Sequence, residues 1–284
     1  MAKRPAPRMS DLLRAPSSDL DLSAIDPRAT PGFGGNKAKP QAALPEVGER
    51  LSDLQEMLFA EGRTGGTRSV LLVLQGMDTS GKGGTVRHVL GNVDPAGVRV
   101  ASFKKPTAEE LAHDFLWRIR RQLPGAGEMG VLDRSHYEDV VTVRVLKIVE
   151  RRTWTRRFGS IRRFEEELAS RGTKVVKCYL HISKEEQHAR LLARLDNPTK
   201  HWKYSPGDLD TRKLWDEYMT AYADAIEETS TEVAPWYVVP ADRKWYRNWA
   251  ITMLLLEALQ ELGLSWPEAS FDVDEQRRLL AAMD

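Results

Sequence analysis

Between Val70 and Thr85 the chain reads VLLVLQGMDTSGKGGT, a glycine-rich loop set directly after an apolar run. No other stretch constrains the fold as strongly. Val70 to Leu74 is β-rich and predicts a buried strand, and helical spacing resumes from Gly83 through Val86 and Val89. That is the order a phosphate loop needs. Glycines let backbone amides turn onto phosphate oxygens, the next helix N-terminus adds its positive dipole end, and Lys82 supplies a mobile point charge. Thr79, Ser80, Gly81, Lys82, Gly83 and Gly84 are the candidate phosphate-binding residues.

The loop departs from the common P-loop after its lysine. Ser or Thr normally offers a hydroxyl to a metal there, but Gly83 and Gly84 follow Lys82, and Thr85 comes two places late. Asp78 is a candidate replacement, since a carboxylate is a hard oxygen ligand suited to Mg²⁺, although an Asp in a loop can also be a turn residue. A second motif, VLDRSHYED from Val131 to Asp139, bears on the choice. A short strand, Met129 to Leu132, ends in Asp133, which places a carboxylate at the C-terminal edge of a parallel sheet, where open α/β sheets bind ligands. Asp133 then reads as a Walker-B type metal ligand and Arg134 as a phosphate fork; taken alone, Asp133 could equally be a helix cap.

Strands are expected near 69–75, 98–103, 129–132, 174–181 and 235–239, with helical patterns between them, a helix over 46–61 and a last one over 244–262. The fold class is therefore α/β, a P-loop kinase fold with a five-stranded parallel sheet covered by helices on both faces. Residues 1–45, rich in Pro, Gly, Ser and Ala, read as an extended, partly ordered arm. The kinase core spans 46–270, and 271–284 forms a helical tail. Pro198, Pro206 and Gly207 interrupt the core pattern within 194–210, which also carries Arg194, Lys200 and Lys203. In P-loop kinases such a segment folds over the reacting phosphates as a lid, so these three cations are candidates for the transferred group.

At 284 residues and 41% hydrophobic content the chain can fill one sizeable core. A formal net charge of +1 gives no global pull on polyanions, so any such attraction is local. Lys104 and Lys105 stand beside Pro106 at the mouth of the sheet, and at least one of them is expected to contact phosphate. The arginines from Arg151 to Arg163 read as a solvated helix face laced with ion pairs. Cys178 is alone and reads as a small buried hydrophobe, and the histidines show no zinc-ligand spacing. No apolar segment follows Met1-Ala2-Lys3-Arg4 and no run is long enough to span a membrane, so a cytoplasmic location is expected.

The ordered blocks GMDTSGKGGT, FKKPTAEEL, LDRSHYEDV, the long run from Leu180 to Met219 and APWYVVPAD together resemble the polyphosphate kinase 2 family, in particular its third class. The resemblance extends from about Asp26 to Trp245 and includes the unusual lysine-glycine-glycine ending. It implies phosphate transfer from inorganic polyphosphate to AMP and ADP, giving ADP and ATP, reversibly, with Mg²⁺ or alternatively Mn²⁺, and a homo-oligomer. On this reading Asp78, Lys82, Asp133, Arg134 and Arg194 are catalytic, with Asp78 and Asp133 holding the metal. Thr79 to Gly84, Lys200 and Lys203 hold polyphosphate, and Lys104, Lys105, Pro106, Tyr137 and Glu138 hold nucleotide. Glu138 stands where ADP-specific relatives carry Asn, which resembles the AMP-accepting class. Three other readings stay open: an ATP-dependent small-molecule or nucleoside kinase, a non-catalytic nucleotide switch, and a nucleic-acid binder using the Arg151 to Arg163 cluster. No nucleic acid and no membrane partner are expected.

Overall fold

The computed structural model describes residues 7–33 and 38–283. Five strands, β1 (Ser69–Gln75), β2 (Val98–Ser102), β3 (Met129–Asp133), β4 (Thr173–His181) and β5 (Trp236–Pro240), form one sheet in the order β2-β3-β1-β4-β5. Every pairing is parallel. The first strand thus lies at the centre, with its successors placed first on one side and then on the other. Ligands bind at the C-terminal edge of such a switch point. The register sets Leu74 opposite Asp133, so the second motif emerges beside the loop that ends β1.

β1 is buried along its whole length, and its side chains alternate between two cores. Leu71 and Val73 join Leu132 and Val175 beneath the helices Arg151–Ser170 and Trp215–Thr229. Val70, Leu72 and Leu74 face Leu254, Leu255 and Leu259 of the helix Lys244–Glu261. The Arg151 to Arg163 cluster lies on the helix Arg151–Ser170, where Arg152 pairs with Glu150, Arg157 with Asp139 and Arg162 with Glu228.

Residues 1–45 differ from the extended arm that composition suggests, as far as they are described. Met9 and Leu13 enter one core while Leu20 and Leu22 enter the other, so the arm crosses the open side of the sheet. On the way Arg14 forms an antiparallel bridge with Tyr237, and the Ala15 N–H donates to the Trp236 carbonyl at 2.8 Å. These bonds cover the exposed edge of β5, which would otherwise template intermolecular pairing. The next helix, Ala38–Arg63, begins earlier than residue 46. Pro40 and Pro45 lie inside it; because proline lacks an N–H and disfavours helix interiors, sequence places the start too late. The tail forms the helix Val273–Ala281.

A polar cluster lies within the first core. Lys177, in the middle of β4, is fully buried and donates to Glu165 at 2.6 Å, to the Tyr137 hydroxyl at 3.0 Å and to the Thr229 carbonyl at 2.8 Å. The Tyr137 hydroxyl in turn donates to Glu165 at 2.8 Å. Burial opposes the Glu165 charge, but Lys177 and His136 outweigh it and hold its pKa below the ordinary carboxylate value. At 2.6 Å Lys177 and Glu165 form a buried ion pair, and removing one member strands the other in an apolar setting. Lys177→Met should destabilise the chain by about 3–5 kcal/mol, and adding Glu165→Leu should recover part of that loss. Urea denaturation of both variants checks this; a Lys177→Met variant as stable as the parent would contradict it.

Candidate active site

The phosphate loop takes its shape from anchors outside it. Gly76 adopts φ 144°, and a Cβ there would stand 2.7 Å from the Leu180 carbonyl, so only glycine lets the chain leave β1 against the end of β4. The next carbonyls are then tied back one after another. Lys82 Nζ donates to Gly76 O at 2.6 Å and Met77 O at 3.2 Å, and Gln187 Nε2 donates to Asp78 O at 3.2 Å. Arg190 Nη1 donates to Thr79 O at 2.9 Å and Ser80 O at 3.2 Å. In a trans peptide the N–H points opposite the C=O, so these bonds turn the following amides away from their anchors. Ser80 N is the exception, donating to Met77 O at 3.1 Å. Thr79, with φ 65°, and Gly81, with φ 109°, complete a turn that extended backbone cannot make. The helix Lys82–Leu90 follows, its first amides free of intrahelical partners.

A cleft of about 610 Å³ opens over this loop. Its walls bring together Asp78, Lys82, Asp133, Arg134, Arg194 and Lys203, four of them from the two motifs and two from the segment 194–210. Thr79, Gly81, Gly83 and Gly84 line it too, and so does Lys104, which the resemblance assigns to nucleotide. Burial, and then Arg134, lower the Lys82 pKa from its ordinary value. Arg134 has a left-handed backbone, φ 63°, immediately after β3, and its N–H donates to Leu74 O at 3.1 Å. Its guanidinium donates to Asp78 Oδ1 at 2.7 Å. Burial works against this cation, but Glu138 and Asp78 outweigh it and raise its pKa above the ordinary value.

The Asp78–Arg134 pair is a wall between two spaces. Behind it lies a second cavity of about 210 Å³, lined by Glu138, Thr142, Tyr218 and Tyr222 as well as the pair itself. The Thr142 hydroxyl donates to Glu138 Oε2 at 2.7 Å. Groups bound on the two sides would therefore meet across Asp78 and Arg134.

Several expected residues stand elsewhere. Tyr137 is turned into the core, 1% exposed and bonded to Glu165, so it lines neither space. Ser80 is fully buried beneath the loop. Lys105 lines a shallower groove with Lys104 and Arg118, and Pro106 lies next to it in the chain, outside both spaces. Lys200 is exposed and stands outside the cleft lining. Arg194 is partly engaged in the lid itself, donating to the Lys203 carbonyl at 2.8 Å and to Asp208 at 3.3 Å. Asp208, Arg87 and Trp202 line the cleft too; Trp202 and Asp208 fall within the Leu180 to Met219 run, but none of the three is among the expected site residues. Gln187 and Arg190 were also missed; their spacing on one face of the helix Lys184–Leu195, three residues apart, was the available clue.

The donor set suits a hard divalent cation. Asp78 and Asp133 face the same cleft, and among the described residues no side chain or amide donates to the Asp133 carboxylate. No cluster of three or more His, Cys, Asp or Glu residues forms a protein-only cage among them. Two carboxylates, phosphate oxygens and water are the ligands Mg²⁺ ordinarily takes. A Cβ at Gly83 would meet Asp133 Oδ2 at 3.7 Å, an ordinary contact, so space alone does not require glycine there.

Residues 35–264 match the family model of polyphosphate kinase 2. Over 253 residues the chain is 50% identical to the AMP/ADP-polyphosphate phosphotransferase of Meiothermus ruber, covering 89% of this chain and 93% of that one. It is 45% identical over 234 residues to the ADP-polyphosphate phosphotransferase of Rhodopseudomonas palustris, covering 78% and 80% respectively. A crystal structure of polyphosphate kinase 2 from Arthrobacter aurescens superposes with a TM-score of 0.95 at 52% identity over 98% of each chain. The central sheet, the loop geometry and these matches agree, and the chain belongs to the polyphosphate kinase 2 family.

Proposed function

We propose that the chain is a polyphosphate-dependent nucleotide kinase, moving the terminal phosphoryl group of inorganic polyphosphate to AMP and ADP to give ADP and ATP, reversibly. The observation that carries this is the two-sided site, with the phosphate loop on one side of Asp78 and Arg134 and Glu138 on the other. The donor end lies on the loop amides and Lys82, and its chain continues towards Lys104. An oxygen of the acceptor nucleotide's terminal phosphate attacks the terminal phosphorus of the donor, forming a new P–O bond. The bridging P–O bond breaks, and its electron pair leaves on the shortened chain. That acceptor oxygen is already anionic, so no general base is needed.

Arg134, between the two spaces, stabilises the equatorial oxygens, and Arg194 and Lys203 join it when the lid closes. Two of the three Lys82 N–H donors hold the Gly76 and Met77 carbonyls, which leaves the third for a phosphate oxygen. Asp78 and Asp133 would hold Mg²⁺, with Mn²⁺ as an alternative, and the bound ion would supply charge neutralisation at the transferring group. The acceptor reaches in from the Glu138 side, which leaves Tyr137 and Pro106 as support for the site. We further propose a cytoplasmic homo-oligomer. Incubation with long-chain polyphosphate, Mg²⁺ and AMP should yield ADP and then ATP by nucleotide chromatography. Turnover with ATP and small acceptors but none with polyphosphate would instead make the chain an ATP-dependent kinase.

Lys82→Ala and Asp133→Asn should each lower kcat by at least about a hundredfold, since each removes a charge acting on the transition state. Circular dichroism should show them folded; near-normal turnover in a folded Asp133→Asn variant contradicts the metal assignment. Glu138→Asn should shift the ratio of kcat/KM for AMP over ADP toward ADP, because the carboxylate faces the acceptor side and repels a further phosphate. Steady-state rates at matched Mg²⁺ read this ratio, and an unchanged value places acceptor selection elsewhere.

A further inference from the structure

Arg247 is 3% exposed on the helix Lys244–Glu261, and no motif in the sequence points to it. Its guanidinium lies directly under the phosphate loop. Nη1 donates to Ser80 O at 3.2 Å, while Nε and Nη2 donate to Asn248 Oδ1 at 3.1 and 2.7 Å. These partners are neutral, and among the described residues no carboxylate pairs with it. Burial, and then Arg190, pull its pKa down to about 10, which leaves it a cation at neutral pH. A buried cation without a counter-charge is unfavourable, so its setting suits a site that receives an anion.

The glycines of the loop fit this cation closely. A Cβ at Gly81 would stand 1.7 Å from Arg247 Nη1, and one at Gly84 would stand 3.3 Å from Nη2. Gly81 also holds φ 109°, so the turn and the guanidinium fix each other. Gly84 is exposed to the cleft, with the cation immediately beneath its backbone. Of five guanidinium N–H groups, three are engaged as above, leaving donors to spare. Glycine at position 84, where an ordinary P-loop tolerates larger residues, is what keeps this cation close to the surface of the loop.

We propose that Arg247 is a positioning and affinity residue of the phosphate loop, fixing the left-handed turn at Gly81 from below and supplying a positive charge beneath the phosphates bound above. The inference rests on polyphosphate occupying this loop. Calorimetric titration of the full chain with long-chain polyphosphate and, separately, with AMP tests it in Arg247→Met, Arg247→Lys and Gly84→Ala, with thermal denaturation reporting folding. Arg247→Met should weaken polyphosphate binding by about tenfold or more, the scale of one charge-assisted contact, and leave AMP within about twofold. Arg247→Lys should restore part of the loss, because it keeps the charge but not the fork. Gly84→Ala, which leaves the helix intact and crowds Nη2, should weaken polyphosphate severalfold and decides the matter if Arg247→Met does not fold. Polyphosphate affinity equal to the parent's in a folded variant, or an equal loss for AMP, overturns the proposal. If the unmodified chain fails to bind polyphosphate, the substrate reading falls by itself, and the same comparison is made with ATP on the same loop.

Discussion

The carbonyl oxygens of Gly76, Met77, Asp78, Thr79 and Ser80 all accept hydrogen bonds from side chains, and the rest of the site depends on those bonds. A loop of bare peptide groups offers oxygens to an anion as readily as amides. Tying the oxygens back removes that ambiguity and leaves the amides as the accessible poles. The anchors come from widely separated parts of the chain: Gln187 and Arg190 from the helix after β4, and Arg247 from the helix after β5. The helix Lys244–Glu261 packs on β1, β4 and β5, and Arg190 also donates to the Ala241 and Asp242 carbonyls just beyond β5, so loop geometry is set by the fold and does not need a ligand to create it. Preorganisation of this kind is what makes electrostatic stabilisation effective in phosphoryl transfer.

The second motif is held with comparable firmness from the other side. Ser135, His136 and Tyr137 are buried, and the Tyr137 hydroxyl joins the Lys177–Glu165 pair, so the turn carrying Arg134 and Glu138 is fastened to β4 and to the helix Arg151–Ser170. Arg134 can therefore occupy a left-handed conformation that a free loop would avoid. The segment 194–213 contrasts with both. Its helix Gly207–Lys213 has no buried residue, Trp202 is 78% exposed, and Arg194 is bonded to atoms of the same segment. A rigid floor and a lightly packed cover suit an enzyme that must admit a long polyanion and then exclude water.

Much of this was legible in the sequence because it is local. An apolar run bounded by glycine fixed β1 at Ser69–Gln75, and an apolar run ending in Asp133 fixed β3, each to within a residue. The catalytic candidates from both motifs fall on one cleft for the same reason: parallel strands release their C-terminal residues at one edge. Tyr137 was misplaced because adjacency to Arg134 says nothing about which way a turn points its ring. Gln187, Arg190 and Arg247 were invisible because their partners lie far away in the chain, and an arginine on a helix resembles any surface cation until the fold buries it. Composition suggests only an extended, partly ordered arm, because its contacts with β5, Glu257 and the two cores are long-range as well.

The central claim is that the phosphate loop receives the donor chain and that the nucleotide enters from the Glu138 side of the Asp78–Arg134 wall. Backbone amide NMR of the isotopically labelled chain reads both events directly. Titration with polyphosphate alone should shift the amides of Gly81, Lys82, Gly83 and Gly84, and titration with AMP alone should shift those around Glu138 and Thr142 while leaving the loop glycines in place. If AMP alone moved the Gly81 to Gly84 amides and polyphosphate left them unchanged, the two sides of the site would be assigned the wrong way round.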